Sequence, residues 1–123
     1  MRAAAQPRDS HGSTVIAQRI EKIRQGASLR DAEVADLLET SAQTVSRWNR
    51  GASSPQRDNL ERLLDLVWIV ERLSELYVAE EARIWLYSRH PQLAGDRPAD
   101  RIQKGDINPV LEIVDQMHSG AFA

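Results

Sequence analysis

The stretch from Leu29 to Gly51, LRDAEVADLLETSAQTVSRWNRG, constrains the fold of this chain most, because two runs of helical period meet there with only a few residues in which to turn. Val34, Ala35, Leu37 and Leu38 give the first run an apolar side, and Ser41 stands where a hydroxyl can accept from the free amides that open the second. Gly51 supplies the left-handed residue that stops the second run. Within it, Val45 and Trp48 lie three apart on an inward face, while Gln43, Arg47 and Arg50 follow at i, i+4 and i+7 on the opposite one. Two short helices at a tight turn, the second carrying cations outward, form the layout of a helix-turn-helix DNA reader. A glycine usually holds the turn of that motif. Glu39 stands there in this chain, and a non-glycine residue at positive φ costs about 1–2 kcal/mol.

The outward trio fits the major groove chemically. Glutamine can pair with the edge of adenine and arginine with that of guanine, each pairing giving about 1–3 kcal/mol of discrimination. Thr44 and Ser46 flank the trio and Ser41 lies at its N-terminal end, so the candidate DNA-binding set is Ser41, Gln43, Thr44, Ser46, Arg47 and Arg50. Arg30 and Arg57 are candidates for backbone phosphates alone. One reader of this size covers too little DNA for strong specificity, which leads to the expectation of a homodimer on a two-fold operator.

The rest of the chain reads as helices separated by Gly and Pro, with no strand pattern, so the expected fold class is all-α. Residues 1–12 are small, polar and aperiodic and are expected to be a disordered tail. Thr14 is placed to cap a helix bearing Ile16, Ile20 and Ile23, with Gly26 to end it, and Ser28 with Asp31 resembles a capping box for the next. Residues 13–56 then make the helix-turn-helix domain, and 57–78 a linking helix with Leu60, Leu63, Leu64, Val67, Val70, Leu73 and Leu76 at helical spacing. The Leu63, Val67 and Val70 stripe suits either a dimer face or the core of one chain. Residues 79–123 form a C-terminal domain: a helix over about 79–88 with Ile84, Trp85 and Tyr87, a break at RHPQLAGDRP, a short helix over 99–104, and a last helix opened by Asn108-Pro109.

Composition removes several other function classes. Among 123 residues there is no cysteine, hence no disulfide framework or thiolate metal site, and His11, His90 and His118 are scattered too widely for a ligand set. Glu80 and Glu81 are adjacent and diverge on a helix, which does not suit paired acid/base work. The expectation is therefore no enzymatic step, no metal and no cofactor. The N-terminus lacks a signal-peptide core, and the longest uncharged apolar run, Leu66–Val70, is far short of the ~20 residues that span a bilayer, so a soluble cytoplasmic protein is expected. Net charge is −2, but residues 1–60 hold nine Lys and Arg against seven Asp and Glu, and residues 61–123 hold seven against eleven. The sign of that difference fits a DNA-facing first half.

The segment RIWLYSRHPQLAGDRPADRIQKGDINPVLEIVDQMHSGAFA, Arg83 to Ala123, resembles the toxin-binding domain of the MbcA/ParS/Xre antitoxin family. The likeness rests on the Trp85 motif, the Pro91–Leu93 turn, the Arg97-Pro98-Ala99 step, Gly105-Asp106 and the final aliphatic helix, in that order. Upstream, SRWNRG at Ser46–Gly51 and the Pro55-Gln56 that follows extend it, so that it covers about Ile16 to Ala123. The resemblance implies a type II antitoxin whose reader represses its own operon and whose C-terminal domain holds a RES-domain, NAD-destroying toxin inactive within a larger toxin–antitoxin hetero-oligomer. It also implies that the tail from Gly120 to Ala123 lies at the mouth of the toxin's cleft. The toxin-binding residues on this reading are Trp85, Arg89, Arg97, Met117, Gly120, Ala121, Phe122 and Ala123. Trp85 also organises its domain, and Phe122 is the apolar residue suited to enter a pocket. A stand-alone dimeric helix-turn-helix repressor is the alternative.

Overall fold

The computed structural model of the chain describes residues 11–120, with side chains from Val15 onward. Seven α-helices run through them: α1 His11–Ala27, α2 Asp31–Leu37, α3 Ala42–Arg50, α4 Arg57–Ser74, α5 Ala79–Leu86, α6 Pro98–Lys104 and α7 Asn108–His118, with a 3-10 turn at Pro91–Leu93. No strand occurs among the described residues, as the all-α expectation required. No helix there is long and apolar enough to cross a membrane.

Helix α4 organises the molecule. Leu63, Leu66, Val67, Ile69, Val70 and Leu73 are all buried, and the helix packs against α1, α5 and α7. Leu63, Val67 and Val70 are therefore spent inside one chain, which resolves the stripe in favour of core and removes it as a dimer face. A single apolar cluster runs from Ile20 and Ile23 of α1 through Val45 and Trp48 of α3 to Val110 and Val114 of α7. No polar or charged residue is buried among those described.

Local expectations failed where neighbours intervened. Helix α1 already runs from His11, so Thr14 lies within it rather than capping it; once nucleated, a helix extends at little cost per residue. Gly26 does not end α1. It lies in the last turn, where a Cβ would sit 2.5 Å from Val70 Cγ1 and 3.0 Å from Ser74 Oγ, so its missing side chain is what lets α1 approach α4. The left-handed residue after the helix is Ser28, at φ 55°. Nor do Ser28 and Asp31 make the capping box of α2. Arg30 is the N-cap, its backbone N–H donating to Glu33 Oε1 at 2.9 Å, and the Ser28 hydroxyl instead donates to Glu80 at 2.6 Å. Helix α5 ends at Leu86, two residues before Ser88, and α6 begins one residue early at Pro98, whose lack of an N–H costs nothing in a first turn.

Candidate nucleic-acid and partner interfaces

The reader is built as its sequence pattern demands. Between α2 and α3 the chain reverses through Glu39 at φ 57°, where the Thr40 N–H donates to the Ala35 carbonyl at 2.9 Å. Thus the turn keeps its left-handed residue without glycine. Glu39 Oε1 accepts from Arg62 Nη1 at 3.2 Å, and the same guanidinium nitrogen donates to the Gln103 carbonyl at 3.2 Å. One α4 arginine therefore ties the reader's turn to α6. Ser41 caps α3, its Oγ accepting from the Thr44 N–H at 3.0 Å, and Gly51 closes it at φ 76°. Val45 and Trp48 are buried as expected.

The outward face of α3 divides by exposure. Ser41, Gln43, Arg47 and Arg50 are exposed, whereas Thr44 and Ser46 are half-buried. Arg50 Nη1 donates to Ser46 Oγ at 2.9 Å, a neutral contact that leaves its charge uncompensated. Among the described residues, neither Arg47 nor Arg50 has a carboxylate within 4 Å. Arg57, the first residue of α4, and Arg30, with 81% of its side chain accessible, are exposed too. Such a surface can attract phosphates and present donors to base edges.

The proposed toxin-facing residues do not form one comparable face. Trp85 is buried, its ring tilted against His90 at 4.9 Å between centroids, with His90 Nε2 3.2 Å from the Trp85 carbonyl. Arg97 is the N-cap of α6 and clasps Asp100 through Nη2 at 2.7 Å and Nε at 3.1 Å, lying 5.8 Å from the Tyr87 ring. Held by that guanidinium, the Asp100 carboxyl is lowered to about 2. Arg89 is exposed and donates to the Gly95 carbonyl at 3.0 Å. Met117 packs half-buried on the core, and Gly120 is exposed at φ 79°. Ala121, Phe122 and Ala123 lie outside the described residues.

Sequence reasoning missed the tie between the two parts. Arg83 of α5 forms a two-pronged ion pair with Glu33 of α2, with Nη1 on Oε1 at 2.7 Å and Nη2 on Oε2, and Nη1 also donates to the Ser28 carbonyl at 3.0 Å. Its guanidinium stands 5.4 Å from the Tyr87 ring. The hydrogen bond from Arg83 holds Glu33 well below the usual carboxylate range, at about 2, against the opposing effect of its burial. Fifty residues separate the pair, and no local signal could have joined them. Arg101 is likewise consumed, by Asp96 at 2.8 Å, Asp106 at 3.0 Å and the Leu93 carbonyl at 2.8 Å. Trp68 is half-buried under Arg72 and walls a groove of about 520 Å³ with Leu64, Asp65, Leu111, Glu112 and Asp115. Among the described residues, no cluster of three His, Cys, Asp or Glu could hold a metal ion.

Comparison with known proteins covers both parts. No family model matches the chain. The mycobacterial cidal antitoxin MbcA of Mycobacterium bovis and that of Mycobacterium tuberculosis are each 32% identical to it over 111 residues, 90% of this chain and 98% of the relative. A probable mycobacterial cidal antitoxin of M. tuberculosis is 30% identical over 91 residues, covering 73% of this chain and 76% of the relative. Among solved structures, a chain of the M. tuberculosis MbcT-MbcA toxin-antitoxin complex superposes with a TM-score of 0.72 at 31% identity, over 90% of this chain and 96% of that one.

Proposed function

This chain belongs to the MbcA family of antitoxins, and from that premise we propose that it neutralises a cognate toxin and represses the operon that encodes the pair. The observation that carries the reading is the reach of the likeness: 98% of the relative aligns, so reader and C-terminal helices both have counterparts in an antitoxin. The related M. tuberculosis pair forms a toxin–antitoxin complex, which supports an equivalent partner here. That partner is a RES-domain toxin that degrades NAD. The chain contributes no catalysis; it acts in the cytoplasm by occupying the toxin's cleft with the end of α7 and the tail from Gly120 to Ala123, Met117 bracing the base of the plug. Trp85 and Arg97 keep the C-terminal helices in shape, one as packing and the other through Asp100.

At the other end, α3 enters the major groove. Gln43, Arg47 and Arg50 meet base edges while Ser41, Thr44 and Ser46 approach phosphates, and two copies bind a two-fold operator. The uncompensated charges of Arg47 and Arg50 support this role. Each phosphate neutralised releases counterions, so affinity falls steeply with added salt. The test is a co-expression and mobility-shift pair. The chain protects cells from the toxin encoded beside it and retards its own promoter fragment; deleting Gly120–Ala123 abolishes protection and leaves retardation intact. Protection by the truncated chain would remove the tail as the plug, and loss of neither activity in an Arg47→Ala, tail-deleted double variant would overturn the assignment of both ends.

A further inference from the structure

With the α4 stripe buried, a two-copy assembly needs another surface. The large apolar side chains left exposed among the described residues are Val15, Leu64, Leu76, Val78 and Ile84, and three of the five fall between the end of α4 and the middle of α5. Ile84 is 62% and Val78 67% exposed. Ile84 borders a mostly apolar groove of about 310 Å³ shared with Tyr77, Glu81, Trp85, Ser88 and His90. Apolar side chains so exposed on a short helix, beside a groove that fits a side chain, are an unfinished interface.

The charges around Ile84 indicate what finishes it. Glu80 and Ile84 lie four apart on one line of α5, and Arg89 follows three residues after the helix ends at Leu86. Glu80 and Arg89 are both exposed, and neither has an oppositely charged side chain within 4 Å among the described residues. The surface is thus acidic at one end, apolar at the centre and basic at the other. When two such helices run antiparallel about a two-fold axis at Ile84, the basic end of each meets the acidic end of the other. That is the self-complementarity an isologous interface requires. The Trp68 groove lacks it, because Asp65, Glu112 and Asp115 would face their own copies there with like charge.

We infer that α5 is the self-association face of this protein, with Ile84 of each copy seated against the Tyr77–Trp85 groove of the other and Arg89 paired with Glu80 across the axis. This deepens the two-copy part of the proposed function by naming its surface. Sedimentation velocity of the full chain over a dilution series tests it, with circular dichroism to verify folding. The wild-type chain sediments at twice the mass of one chain, and Ile84→Glu, which adds a carboxylate at the axis, weakens association by more than about tenfold. Arg89→Glu weakens it as well, and the reciprocal double variant Glu80→Arg with Arg89→Glu restores it, which loss of fold could not imitate. A wild-type chain that stays monomeric, or a double variant that stays as weak as Arg89→Glu, overturns the inference. So does an Ile84→Glu chain whose own mass is unchanged but whose hold on the toxin is lost, since the face would then belong to the toxin. These masses are read without DNA or toxin, so failure of the antitoxin reading leaves them untouched.

Discussion

In the reader, Arg47 and Arg50 project from α3 with no carboxylate within reach among the described residues, while in the C-terminal part Arg83, Arg97 and Arg101 are each bound to one or two. The same residue type thus does opposite things in two regions of one small molecule. On the proposed reading, a short helix that meets DNA gains by leaving its charge unpaired. Loops and short helices around α6, with few side chains to bury, gain by using arginine as a multi-pronged brace for carbonyls and carboxylates. On that reading these five arginines divide into a binding share and a structural share according to their partners.

Removing a structural arginine is the strongest way to break this contrast. Arg83→Ala leaves Glu33, whose side chain is 15% exposed, with only the exposed Arg30 Nε at 3.6 Å as counter-ion, and the expected loss is about 2 kcal/mol of stability by thermal or urea unfolding. Operator affinity per folded molecule stays near wild type. A double-mutant cycle with Glu33→Ala isolates the pair, and additive losses would show that the two do not act together. The same pair gives an acid limb. Glu33 titrates near its ordinary 4.5 in the unfolded chain and at about 2 when folded, so the unfolded state takes up more protons in acid. The stabilisation is whole above pH 4.5 and drains away as pH falls towards 2. In Arg83→Ala that limb flattens, and an unchanged acid profile would deny the pair its role.

Removing a binding arginine has the reverse signature. Arg47→Ala is expected to cost about 1–2 kcal/mol of operator binding with thermal stability unmoved, as measured by mobility shift and melting on the same preparation. A fall in stability instead would place Arg47 in the structural share. The smallest effect concerns the turn. Glu39→Gly relieves a left-handed non-glycine residue but forfeits the contact with Arg62, for a net gain of about 0.5 kcal/mol. A loss would mean that the Arg62 bridge outweighs backbone strain.

Much of the reader was legible because its signals are local. Ser41, Val45, Trp48 and Gly51 each act within one or two turns of themselves, and each does what its spacing required. The C-terminal helices were legible in number and order for the same reason, since Pro98, Gly105 and Pro109 punctuate them. The candidate partner face was less so. Trp85 and Arg97 suit contact by residue type, and only the fold shows that Trp85 is buried and that Arg97 also clasps Asp100. Gly26 misled for a related reason: glycine marks either a stop or a close approach, and Val70, which decides between them, lies 44 positions along the chain.

The order of residues by itself determined that this chain is helical, where its helices break, and that one of them offers cations on a polar face, because helix periodicity, caps and left-handed glycines are settled between near neighbours. Only tertiary structure decided that α4 turns its stripe inward, that Arg83 reaches Glu33 and that Ile84 is left outside. Those outcomes depend on which distant surfaces meet, and burial and ion pairing are properties of the meeting, not of either segment alone.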